Sequence, residues 1–196
     1  ETKQFLKQID VGDESIPAVG DIDADGDMDL LLANKIDPSN LKSSFVYVFE
    51  NVGSSTNPKF QKTGNLTLPN GYHYAPELAD LNNDGFADLL LGNWKGDVAF
   101  YLNADGNFSL ENNAIVELPR GSNAVPRAVD IDNDGDLDLV SGSSGGDIHL
   151  FRNNGDLNTA NFEYVDNFFD GIEAKHRSTP TFFDADGDGD LDLLTG

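Results

Sequence analysis

Apolar residues in this chain come in short bursts: Ile16 to Ile22, Leu30 to Ala33 and Leu139-Val140 sit on either side of acidic loops. Bursts this short and this rich in β-formers read as strands, so each acidic loop is predicted to close a β-hairpin. Beyond the hairpin lies an alternating segment, Val98-Ala99-Phe100-Tyr101-Leu102-Asn103 in one place and Ile148-His149-Leu150-Phe151-Arg152-Asn153 in another. A Gly/Asn turn follows (Asn51-Val52-Gly53, Asp105-Gly106, Asn154-Gly155), then a further strand starting near Phe60, Phe108 or Phe162. The pattern therefore predicts units of four short strands.

The acidic loop sets the period of these units. It occurs as Asp21 to Leu30, Asp80 to Leu89, Asp130 to Leu139 and Asp184 to Leu193, with starts 59, 50 and 54 residues apart. A proline lies four residues before each copy, at Pro17, Pro76, Pro126 and Pro180. Small turns follow the second strand, Gly92 to Gly96 and Gly142 to Gly146. Four antiparallel strands per repeat of about 50 residues predict an all-β fold of β-propeller blades; a parallel β-helix or calcium roll has far shorter repeats. The first unit differs at its second turn, where Lys35 to Ser44 forms a longer polar loop. The unit boundaries are read as the end of a preceding blade over 1–14, blades over 15–69, 70–119 and 120–172, and half a blade over 173–196. Three and a half blades cannot close a ring of about 4–8, so the molecule is expected to continue past both ends, with the remainder coming from missing chain or another copy.

Each loop places oxygen-bearing side chains at positions 1, 3, 5 and 9 and Gly at position 6. That spacing aims several carboxylates at one point, as a hard cation requires. An EF-hand opens similarly but needs a chelating Glu at position 12 and flanking helices. Position 12 here is Leu32, Leu91, Ser141 or Thr195, and the flanks read as strands. The loops are therefore cation cages in hairpins.

Charge reinforces this reading. The chain of 196 residues carries 35 acidic and 12 basic side chains for a net −23, and 18 of the acids lie in the four ten-residue motifs. Four divalent ions would bring the total to about −15, so much of the acidity is explained by metal sites. No basic patch suits nucleic acid, and an anionic membrane would repel the chain. There is no cysteine, hence neither a disulfide framework nor a thiolate zinc site. No apolar run reaches membrane-spanning length, so no direct membrane insertion is expected.

The nonapeptide, the preceding Pro and the following small-residue turn resemble FG-GAP/VCBS repeats, known from integrin α-subunits and many secreted proteins. Phe45 to Gly53 and Ser178 to Asp184 are especially similar to the VCBS type. The resemblance implies a seven-bladed propeller with Ca2+ in the hairpin between the first and second strands of each blade, Mg2+ or Mn2+ being alternatives. The side-chain ligands it implies are Asp21, Asp23, Asp25 and Asp29; Asp80, Asn82, Asp84 and Asp88; Asp130, Asp132, Asp134 and Asp138; and Asp184, Asp186, Asp188 and Asp192. The carbonyls would come from Asp27, Phe86, Asp136 and Asp190. Asn82 removes one charge, so the second site is expected to be the weakest. The integrins' literal Phe-Gly and Gly-Ala-Pro signatures are missing, which argues against integrin-like ligand specificity. The family's habitat implies an extracellular protein, secreted or on the cell surface.

An architectural metal clip leaves recognition to other loops. The turns between second and third strands and the links between blades are expected on the face away from the metal. Tyr72, Tyr74, Trp94, Lys95, Arg120 and Arg177 fall there, aromatic and basic groups against an acidic background, as a surface for an extracellular protein or glycan requires. The alternative placement puts Tyr72 and Tyr74 in a blade interface. No catalytic residues are assigned. His73, His149 and His176 occupy unrelated positions, and the evident carboxylate pairs are committed to metal. The competing function is a partial propeller of a secreted polysaccharide-degrading lyase or hydrolase. Asn65-Leu66-Thr67 and Asn107-Phe108-Ser109 fit glycosylation sequons, a frequency chance alone supplies.

Overall fold

The computed structural model describes residues 9, 11–36, 43–69, 71–120, 122–166, 168–172 and 174–196. All regular structure among them is β. The first sheet holds β1 (Ile16–Gly20), β2 (Asp29–Ala33), β3 (Val46–Asn51) and β4 (Phe60–Asn65). The second holds β5 (Ala75–Ala79), β6 (Asp88–Gly92), β7 (Asp97–Ala104) and β8 (Asn107–Glu117), and the third β9 (Val125–Val129), β10 (Asp138–Gly142), β11 (Ile148–Asn153) and β12 (Phe162–Val165). A final hairpin pairs β13 (Thr181–Phe183) with β14 (Asp192–Leu194). Each four-stranded sheet is an antiparallel meander with strands in chain order. These are propeller blades, and the described strands do not close a ring. The expected strand near Phe5-Leu6, and residues 37–42 of the polar segment between Lys35 and Ser44, lie outside the described residues.

The second strand of each four-stranded blade is apolar at consecutive positions because both its faces are covered. Leu31, Leu89 and Leu91 share a core with Ala18, Val46 and Tyr74 between the first and second blades. Leu90, one residue out of phase, points instead to the second interface with Leu139 and Phe151. Val140 and Leu150 turn to the third interface, against Phe182 and Leu193. Alternating side chains therefore feed cores on opposite sides of one sheet, as sandwiched strands require. Close blade approach fixes residue size as well. A Cβ on Gly92 would lie 2.1 Å from the Ala124 carbonyl oxygen, and one on Gly142 would lie 2.1 Å from that of Ser178.

First strands lie at the sheet edge. Pro17, Pro76 and Pro126 each occupy the second residue of theirs, paired to Leu32, Leu91 and Ser141. A proline there costs no ladder hydrogen bond when its nitrogen faces away from the partner. At one end of the blades a belt of backbone hydrogen bonds links each turn after the second strand to the segments on both sides. Trp94 N–H donates to the Tyr72 carbonyl at 3.1 Å while Asn123 N–H donates to the Trp94 carbonyl at 3.2 Å; Ser144 with Ser122 and Arg177 repeats the pattern at 2.7 and 3.3 Å. The acidic loops occupy the other end, beside the β3–β4 type of turn. There Asn103 Nδ2 donates to the Ile22 carbonyl of the preceding blade at 2.8 Å.

Candidate metal centre

The hairpin pairing ends where each acidic motif begins, Gly20 opposite Asp29 and Ala79 opposite Asp88, so positions 1 to 8 must turn within one loop. Two backbone distortions make this possible. Gly26, Gly85, Gly135 and Gly189 take φ of +91°, +93°, +100° and +96°, and no atom crowds their absent Cβ, so conformation alone demands glycine. Position 4 is also left-handed, at Ala24, Asn83, Asn133 and Gly187, a feature with no glycine signature in three of the four loops.

These turns point backbone N–H groups at the carboxylates and hold them in place. Asp21 accepts from Asp25 N–H at 3.2 Å and Gly26 N–H at 3.0 Å; Asp80 and Asp130 accept equivalent pairs from Asp84 with Gly85 and Asp134 with Gly135. Asp184 accepts from Gly187 and Gly189 instead. Asp25, Asp84, Asp134 and Asp188 accept from the N–H of position 7 at 2.9–3.1 Å. The side chains at positions 1 and 5 are thereby oriented before any ion arrives.

Position 9 ties the loop to the blade. Asp29, Asp88 and Asp138 are buried, with one oxygen accepting from the N–H of position 2 at 3.2–3.3 Å. The other oxygen accepts from Asn51, Asn103 or Asn153 N–H at 2.7, 2.9 and 2.7 Å. Among the described residues, Asp192 keeps only the first contact, from Ala185 N–H. Asn51 and Asn153 in turn use Oδ1 to hold the next turn, through Gly53 and Lys59 and through Gly155 and Asn161. These asparagines escaped the sequence reading, although the recurring aromatic-x-Asn at the end of the third strand was visible in it.

The charges converge as a cation site requires. Asp21, Asp23 and Asp29 offer oxygens all within 4.8 Å of one another, as do Asp130, Asp132 and Asp134, and Asp184, Asp186 and Asp192. The second loop forms no such acid trio. Asn82 stands at its third position, donates to Asp84 Oδ2 at 2.9 Å and accepts from Asp84 N–H at 3.0 Å. Burial raises the carboxyl pKa of Asp29, Asp88 and Asp138, that of Asp88 to about 6, against the lowering effect of their backbone donors. Asp27 and Asp136, at the carbonyl position, are raised by desolvation and then by neighbouring acids, and each leaves Oδ1 buried without a hydrogen-bond partner. Converging carboxylates of this kind are relieved by a bound cation, and an all-oxygen donor set suits a hard one. In the third loop a protein cation competes, because Arg152 Nη1 pairs with Asp132 Oδ2.

Three segments of this chain, residues 21–91, 80–141 and 130–195, match the family model of the FG-GAP-like repeat. The chain belongs to the FG-GAP-like repeat family. No curated protein matches it. In FG-GAP-like terms, each matched segment runs from one acidic hairpin through the second strand of the next blade, so the family pattern spans the stacked interfaces as well as the loops.

The residues expected on the face away from the loops are distributed unevenly. Trp94 and Tyr72 are 46% and 36% exposed, Lys95 is exposed, and Arg120 pairs with Asp147 at 3.4 Å. Tyr74 packs inside the first blade interface and donates its hydroxyl to the Pro69 carbonyl at 2.5 Å; burial pushes its pKa up to about 12. The left-handed His73 between them, φ +53°, breaks the extended chain, so that Tyr72 turns outward while Tyr74 enters the core. Arg177 pairs with Glu14 at 2.6 Å. His149 is buried in β11 with its ring 6.0 Å from that of Tyr164, a packing role. Gly121 and Glu173, within the linking segments, lie outside the described residues.

Proposed function

We propose that this FG-GAP-like chain is an extracellular recognition scaffold whose blade hairpins are stiffened by Ca2+. The observation that carries the proposal is the recurrence of one oriented acidic loop in all four hairpins, with the oxygens of three acids converging in the first, third and fourth. Calcium accepts six to eight oxygens in flexible geometry, and extracellular modules with such loops bind it at about 10⁻⁴–10⁻³ M. The ligand sets are those named by the family resemblance: positions 1, 3, 5 and 9 through side chains and position 7 through its carbonyl. In this role the metal is architectural. It neutralises carboxylates that otherwise repel, and through Asn51 and Asn153 it fixes the turns that follow, while Asn103 ties the second loop to the first.

Recognition then belongs to the opposite end, where Trp94, Tyr72, Lys95 and Arg120 stand out of an acidic surface. An extracellular protein or glycan is the partner class; nucleic acid is not. The acid pairs serve the cages, so the segment is read as non-catalytic. Binding of the calcium-loaded chain to arrays of glycans and matrix proteins tests this. Retention without turnover, reduced by Trp94→Ala, is the expected result. Release of unsaturated sugar products absorbing in the near ultraviolet would overturn it in favour of a lyase.

A further inference from the structure

The residues three places before Pro17, Pro76, Pro126 and Pro180 are Glu14, His73, Asn123 and Arg177, and all four are left-handed, with φ of +50°, +53°, +56° and +44°. A non-glycine residue there costs about 1 kcal/mol or more. The bend serves the backbone belt, since the N–H groups of His73, Asn123 and Arg177 donate to carbonyls of the preceding turn. It also brings the four equivalent residues to the rim of one cavity of about 190 Å³, with Lys35 beside them. In a chain of net −23 this rim is basic. Glu14 is held there by Lys35 at 2.6 Å and Arg177 at 2.6 Å, with His73 Nδ1 3.9 Å away. Lys35 first of all lowers the Glu14 pKa, so the carboxylate is ionised in its seat. The Asn123 side chain makes no hydrogen bond among the described residues, which leaves an amide donor unspent beside the cations.

We infer that this axial cavity binds the carboxylate of a single uronic acid residue, with Glu14 occupying the anion's place in the unliganded protein. Arg177 swings from Glu14 onto the ligand, where its guanidinium grips the carboxylate with two parallel hydrogen bonds. Asn123 donates a third. The volume lies below the ~300 Å³ where drug-sized pockets begin, which suits one sugar ring, while a lone acidic side chain would leave most of it empty. A long polyanion is repelled by the surrounding acidic surface, so the site takes one charged unit. The inference rests on reading this end of the molecule as the recognition face.

Calorimetric titration of the whole calcium-loaded protein with D-glucuronate tests it, with D-glucose and N-acetylglutamate α-amide as comparisons. Glucuronate binding that weakens with salt, and no binding of glucose, is the expected result. Glu14→Gln removes the resident competitor and tightens glucuronate about tenfold, whereas Arg177→Gln weakens it by at least about tenfold and Arg177→Lys by less. Tightening by Glu14→Gln cannot arise from mere loss of structure. Equal binding of glucose, unchanged affinity in both variants, or preference for the glutamate derivative would overturn the inference. Array retention of other ligands with no glucuronate binding sinks the inference alone; a blank array with no glucuronate binding sinks the recognition reading too.

Discussion

Stripping calcium from the protein should lower its melting temperature by about 15 °C or more. In each acid trio three oxygens lie within 4.8 Å of one another. A pair at that distance repels by roughly 0.9 kcal/mol at water's dielectric constant and about 3.5 kcal/mol at the effective value near a protein surface. Three pairs therefore strain a metal-free loop by about 3 kcal/mol at the least, offset in part by the backbone N–H groups that each carboxylate accepts. From the bound side, 10 mM calcium is a hundredfold excess over a dissociation constant of about 10⁻⁴ M, the tight end of the extracellular range, and stabilises the fold by about 2.7 kcal/mol per site. Three independent trios then contribute about 8 kcal/mol, and a chain of this size shifts by roughly 2–4 °C per kcal/mol. Melting followed by circular dichroism in 10 mM calcium and in excess chelator measures the difference. Magnesium, which needs tighter octahedral geometry, should restore less than half of it. A change below about 2 °C on chelation would refute the reasoning, because the loops would then be holding their charges without an ion.

Other consequences are open to direct measurement. Gly142→Ala places a Cβ 2.1 Å from the Ser178 oxygen and 2.8 Å from Pro180 Cδ, so the third and fourth blades must part; urea unfolding in calcium should show a loss of about 3 kcal/mol. Gly64→Ala, with nothing within 4 Å of its Cβ, should be near neutral and serves as control. Arg152→Gln frees Asp132 from its cation and should tighten the third site several-fold in terbium luminescence titrations. The raised pKa of Asp88, about 6 against an ordinary 3.8, means the metal-free fold holds a proton that the unfolded chain has already released. Metal-free stability should therefore fall as pH rises from about 4 to about 6, measured by denaturation in calcium-free buffer. Calcium affinity should move the opposite way, weakening as pH falls through the same window.

The fold was legible because its determinants are local. Apolar bursts beside the acidic loops became β2, β6 and β10, and the alternating Val98 to Asn103 became most of β7. The uninterrupted Leu-Leu-Leu of β6 makes sense only with a blade on each side, which a repeat architecture supplies. What escaped the sequence reading depends on distant partners. Asn51 meets Asp29 across 22 positions, Arg152 meets Asp132 across 20, and Asn103 reaches a different blade. Tyr72 and Tyr74 carry the same chemistry two residues apart, and only the stacking of blades decides which ring is covered. The left-handed residues at position 4 and at the cavity rim carry no common residue type, since side chains as different as Ala, Asn, Glu and Arg adopt them.

The prolines in the innermost strands have a consequence for how such molecules meet one another. An inner strand without one would offer a free row of amide donors along the axis, a template on which a stray extended peptide could zip into place. Pro17, Pro76 and Pro126 each lack an N–H for such a peptide to pair with, which works against strand addition at that edge. Lateral growth by strand addition is left to the perimeter, at β4, β8 and β12, where charged and amide side chains such as Lys62, Glu111 and Glu163 discourage it.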